Sequence, residues 1–140
     1  MGKQLNEKLL SIQSKLKAPK SQYNSFGKYH YRNCEDVLES LKPLLVESNC
    51  LLTITDEIVM IGNRFYVKAT ATITDGEDSI SVTAYAREEE TKKGADSSQV
   101  TGAASSYARK YALNGLFCID DNKDSDTTNH GEKSAQTGAK

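Results

Sequence analysis

Leu5, Leu9, Ile12 and Leu16 recur at offsets of 0, 4, 7 and 11, with Lys3, Lys8, Lys15 and Lys17 set around them. That spacing predicts an amphipathic helix over residues 3–17 with one apolar stripe, ended by Pro19. Residues 19–32, PKSQYNSFGKYHYR, carry neither a helical nor a strand period. Asn33, with Asp36 three residues on, is placed to cap a second helix whose apolar face is Val37, Leu38, Leu41, Leu44 and Leu45. Pro43 falls inside that pattern and predicts a kink or the last turns.

From Cys50 the period changes to two. Leu52, Ile54, Ile58 and Met60 form a first strand, and Phe65, Val67, Ala69, Ala71 and Ile73 alternate with polar residues in a second. Ile80, Val82, Ala84 and Ala86 do the same in a third, with turns at Gly62-Asn63 and Asp75-Gly76. The strands form an antiparallel meander with one apolar face, which needs a cover. After the charged loop EEETKKGADSS, Val100, Ala104, Tyr107 and Tyr111 repeat at 0, 4, 7 and 11. A third helix with that stripe is the expected cover, with Tyr107 and Tyr111 in the core and Gly102, Ser105, Ser106 and Arg109 on the opposite face. The expected fold class is α+β: a three-stranded β-meander covered by a helix, with N-terminal helices.

The chain of 140 residues is one domain's worth. Its apolar residues thin out after residue 120, where only Gly131, Ala135, Gly138 and Ala139 interrupt a polar run. Residues 1–120 are therefore expected to fold, and 121–140 to form a disordered acidic-polar tail. No run approaches eighteen apolar residues, and the N-terminus lacks an apolar signal core, so the expectation is a soluble, unexported chain. Cys34, Cys50 and Cys118 fit neither a disulfide framework nor a metal pair, and read as reduced, packed thiols.

The net charge of -1 hides a gradient. Residues 1–34 carry seven cations against Glu7 alone, a balance of +6, while residues 35–64 come to -4 and residues 113–140 to -2. The basic end is the candidate binding surface.

The residues that catalysis needs are sparse. His30 is flanked by tyrosines and His130 lies in the tail, so no Ser-His-acid or Cys-His arrangement is suggested, and there is no phosphate-binding glycine loop. Asp120, Asn122 and Asp124 begin like a calcium loop, but Ser125 and Gly131 stand where Gly and Glu are needed. No catalytic residue, metal site or cofactor is expected. By contrast, residues 17–32 interleave Lys17, Lys20, Lys28 and Arg32 with Tyr23, Phe26, Tyr29, His30 and Tyr31. Cations for phosphates and rings for unstacked bases suit single-stranded nucleic acid better than duplex. Tyr29 and Tyr31 serve equally well as anchors of the loop on the core, and both readings stand.

The string GAASSYARKYALNGLF (Gly102–Phe117), followed by acids, together with NSFGKYHYR (Asn24–Arg32) running into VLESLKPLL (Val37–Leu45), resembles the ERF (essential recombination function) family of phage single-strand annealing proteins. The resemblance covers roughly residues 5–125. It implies a non-enzymatic protein of the bacterial host cytoplasm that binds single-stranded DNA and pairs complementary strands without ATP, as rings or filaments. It also implies a β-β-β-α core, similar to that of the eukaryotic recombination annealing protein, whose helix lines the DNA groove. Thr101, Ser105 and Arg109 would then face phosphates, with further charge from Lys110, Lys92, Lys93 and the N-terminal segment. A host single-strand DNA-binding protein is a candidate partner. Annealing requires many nucleotides held in register, so subunits should line up, through the sheet edges or the stripe of helix one. Two other readings compete: a magnesium-dependent nuclease using Asp120, Asp121, Asp124 and Asp126, and an interaction module whose basic end binds an acidic protein.

Overall fold

The computed structural model describes residues 2–88 and 97–119, with the side chains of 3–88 and 102–119. The elements run α1 (Gly2–Lys15), β1 (Gln22–Asn24), β2 (Tyr29–Tyr31), α2 (Cys34–Ser48), β3 (Leu51–Ile61), β4 (Arg64–Thr74), β5 (Ser79–Arg87) and α3 (Ser97–Phe117). The fold is α+β, with an antiparallel sheet β3-β4-β5 packed against α3. Register runs from Leu51↔Thr74 to Ile61↔Arg64 between β3 and β4, and from Tyr66↔Arg87 to Thr74↔Ser79 between β4 and β5. Strict alternation gives the sheet its two faces. Val67, Ala69, Ala71 and Ile73 are buried under α3. The other face is a polar ladder in which Thr70 meets Thr83 and Thr72 meets Ser81.

The helix that covers the sheet is rotated from the orientation its large residues predict. Its buried stripe is Ala104, Ala108, Ala112 and Leu116, with Leu113 and Phe117, while Tyr107 and Tyr111 are exposed. The reason is steric. The sheet offers the small side chains of Ala69, Ala71, Ala84 and Ala86, so a helix dense in alanine at every fourth position can approach closely, where tyrosines would hold it off. A Cβ added at Gly115 would lie 3.0 Å from Val82 Cγ1.

Leu5, Leu9 and Ile12 are buried in this same core, so of the two roles open to the stripe of helix one, folding back on its own subunit or docking on a neighbour, the structure shows the first. Gln13 ties α1 to the end of α3 by donating from Nε2 to the Leu116 carbonyl at 2.9 Å. Asn33 caps α2 as expected, accepting from the Asp36 N–H while Asp36 Oδ2 accepts from the Asn33 N–H, both at 2.9 Å. Pro43 sits within α2, which continues to Ser48.

Residues 19–32 are not irregular. Tyr23↔His30 is the centre of a short antiparallel hairpin, whose three-residue strands are too brief to leave a period. The thiols also divide: Cys34 is buried, Cys50 half-buried and Cys118 exposed, so packing does not protect all three. The expected tail, and residues 89–96 of the charged loop, lie outside the described residues.

Candidate nucleic-acid interface

Because alanines face the sheet, α3 turns its tyrosines outward. Tyr107 and Tyr111 are one turn apart and lie nearly parallel, with ring centroids 6.2 Å apart and planes at 18°. Beneath them runs Lys110, only 8% exposed. Its ammonium stands 5.5 Å from the Tyr107 ring centre, 5.8 Å from that of Tyr111 and 6.0 Å from that of Tyr31, and donates to the Arg32 carbonyl at 3.3 Å. A buried ammonium is costly unless it is surrounded by acceptors and ring faces, and this one is. Lys110 is therefore the post that fixes the β1–β2 hairpin to α3. It is not the exposed cation the sequence suggests.

The hairpin is held from its other side too. Arg32 Nε donates to the Ala18 carbonyl at 2.7 Å. Tyr29 leans edge-on against Tyr31 at 5.9 Å, takes a hydrogen bond at its hydroxyl from Asn24 Nδ2 at 3.1 Å, and lays its ring over Gly27, where a Cβ would come within 2.4 Å of it. Tyr29 and Tyr31 are thus anchors with one side showing. Phe26 at the tip is 98% exposed. Between hairpin and helix lies a cleft of about 230 Å³, lined by Tyr31, Asn33, Cys34, Ala103, Ser106, Tyr107 and Lys110. Burial, and then the charge of Glu35, push the Cys34 thiol above its ordinary value, so it is a neutral wall of that cleft.

Ser105 and Arg109 share a second site along the same helix. Asp56 of β3 points to the face that α3 covers, and there Ser105 Oγ donates to its Oδ2 and Arg109 Nε meets the same oxygen at 3.1 Å. Asp56 is a site residue that the pattern of strand β3 did not single out. An acid among Leu52, Ile54 and Ile58 on the apolar face is the signal, because a partly covered carboxylate requires donors from whatever covers it.

Of the residues expected to bind, Tyr31, Arg32 and Lys110 come together with Tyr107 and Tyr111, and Ser105 and Arg109 meet at Asp56. Lys17, Phe26 and Lys28 are exposed and Lys20 half-buried, and the described contacts do not join Lys17, Phe26 or Lys28 to either group. Lys92, Lys93 and the side chain of Thr101 lie outside the described residues, as do Asp120, Asp121, Asp124 and Asp126. Among the described residues no three His, Cys, Asp or Glu side chains are grouped to hold a metal ion, and no helix is long and apolar enough to cross a membrane.

Comparison with known families matches residues 5–140 to the ERF superfamily. The chain belongs to that superfamily. The Essential recombination function protein of Salmonella phage P22 is 63% identical over 140 residues, which is all of this chain and 67% of that relative. No solved structure matches the chain. The GAASSYARKY block lies on α3, where Ala104, Ala108 and Lys110 are buried and Tyr107 and Tyr111 exposed, and the NSFGKYHYR block forms the hairpin docked beside it.

Proposed function

We propose that this ERF-superfamily chain is a phage recombination protein that binds single-stranded DNA and promotes pairing of complementary strands without ATP, cofactor or catalysis. The reading is carried by one observation: two parallel, solvent-facing tyrosines on α3, set over a buried ammonium and beside an aromatic hairpin. Rings of this kind stack bases of any sequence at about 1–3 kcal/mol each, while cations take the phosphates and the pairing edges stay free. Ser105 and Arg109 on the same helix, with Lys17 and Lys28 at the basic end, supply the electrostatic part. A duplex presents no unstacked base to Tyr107 or Tyr111, so the surface favours single strands.

One subunit displays only a few nucleotides, and partial pairing over so few bases gains little, so annealing calls for a ring or filament of copies. Among the described residues, the outer edges of β3 and β5 are candidate surfaces for it, since α1 spends its stripe inside the fold.

The test is binding of a fluorescent oligothymidine, against a duplex of equal length, over a range of salt, with Tyr107→Ala and Tyr111→Ala. Tighter binding to the single strand that falls with salt, weakened about 5- to 150-fold per ring removed, is the expected result. Equal duplex affinity, or no response to either substitution, overturns the reading. Magnesium-dependent cleavage of the oligonucleotide would overturn its non-catalytic part.

A further inference from the structure

Ser105 and Arg109 are one helical turn apart, so the hydroxyl and the guanidinium face the same way. Both converge on one anion. Ser105 Oγ donates to Asp56 Oδ2, and Arg109 Nε stands 3.1 Å from Oδ2 and 3.3 Å from Oδ1. Two oxygens sharing a single negative charge describe a carboxylate and equally a phosphodiester, and the same donor set serves either. The seat is open to solvent, with the Arg109 side chain 39% and the Asp56 side chain 25% exposed. Tyr107, the proposed stacking ring, lies two residues from each of them and so about 160° round the helix, on the hairpin side of α3, so a strand stacked there reaches this seat only by crossing the exposed ridge of the helix.

We propose that Asp56 is a built-in counter-anion that holds the Ser105–Arg109 seat and is displaced by a phosphodiester of single-stranded DNA. The proposal rests on the single-strand reading above and adds a regulator of affinity to it. A partly exposed ion pair is weak enough to exchange. Binding then trades one internal ion pair for one external pair. Arg109 consequently adds less net affinity than an unpaired cation would, and the salt dependence is shallower than the number of cations implies. Asp56 also discourages anions too weakly held to compete with an attached carboxylate, which favours long polyanions that are anchored elsewhere on the same surface.

The experiment compares the full chain with Asp56→Asn, Arg109→Ala, the double variant, and Glu57→Gln, whose carboxylate points to the other face of β3, 4.0 Å from Lys68 Nζ. Each is titrated with fluorescent oligothymidine and, separately, with inorganic polyphosphate, at several salt concentrations. Thermal melts confirm that each folds. Asp56→Asn keeps the shape of the side chain and is expected to bind oligothymidine about threefold to tenfold more tightly, with a log–log salt slope steeper by about 0.7, the share of one phosphate contact on a single strand. The gain should vanish with Arg109→Ala and be absent in Glu57→Gln. Unchanged or weaker binding by folded Asp56→Asn overturns the proposal, because Asp56 would then position Arg109. An equal gain in Glu57→Gln also overturns it, as a general charge effect. If no variant binds oligothymidine, the single-strand reading itself fails. A gain for polyphosphate in Asp56→Asn alone would then still support the anion seat, and no gain would overturn it.

Discussion

Tyr107 is 55% exposed and Ala108, its neighbour, is fully buried against the sheet, so the smaller side chain matters more to the fold. Tyr107→Ala should change stability by less than about 1 kcal/mol, whereas Ala108→Leu should overpack the helix–sheet contact and cost about 1–3 kcal/mol. Thermal melts of the two variants decide it. Loss of stability in the first with none in the second would mean that α3 faces the other way. The rotation was legible in principle, because Ala104, Ala108 and Ala112 repeat every fourth residue. A stripe drawn through the largest side chains misses it, since volume and burial part company where a helix must come close to a sheet of alanines. Lys110 was hidden for a different reason. Nothing in a linear pattern reveals that Tyr31 and the Arg32 carbonyl, 78 residues away, make a setting in which an ammonium can be buried.

Among the elements, the β4–β5 turn carries the clearest dependence on pH. The Asp75 carboxylate accepts from the Glu77 and Asp78 N–H groups at 3.0 and 2.9 Å, and these bonds hold it below its ordinary value. The sign follows from that direction. The contribution of the turn is complete above the ordinary carboxylate range and is lost as the pH falls through the lowered value. Asp75→Asn should therefore flatten the acid limb of a melting-temperature profile while leaving the neutral limb parallel to that of the wild type. An unchanged acid limb would show that the turn does not titrate. Turns, strands and helix caps of this kind are local, and they were legible: Asn33 with Asp36, Gly62-Asn63 and the alternation of β4 all stand in the structure as their spacing indicates. The β1–β2 hairpin was not, because its three-residue strands are held by Arg32, Asn24 and Lys110 and have no apolar face of their own.

For the whole molecule, the burial of Leu9 sets an expectation about assembly. Leu9→Glu places a charge inside the core of its own subunit and should cost more than about 3 kcal/mol, with a melting temperature that falls equally at low and high protein concentration. A folded variant that has only lost self-association would restore the stripe of α1 as an interface. The same burial has a consequence for synthesis. Gln13 reaches the Leu116 carbonyl across 103 residues, so α1 cannot complete its packing until the last turn of α3 has been made. At roughly 5–20 residues per second, that delays the contact of α1 with α3 by about 5–20 s, while α2, on which α1 also packs, follows it closely in the chain. Until then α2 alone can shelter the greasy side of α1, and the part that α3 will cover is open to whatever the nascent chain meets.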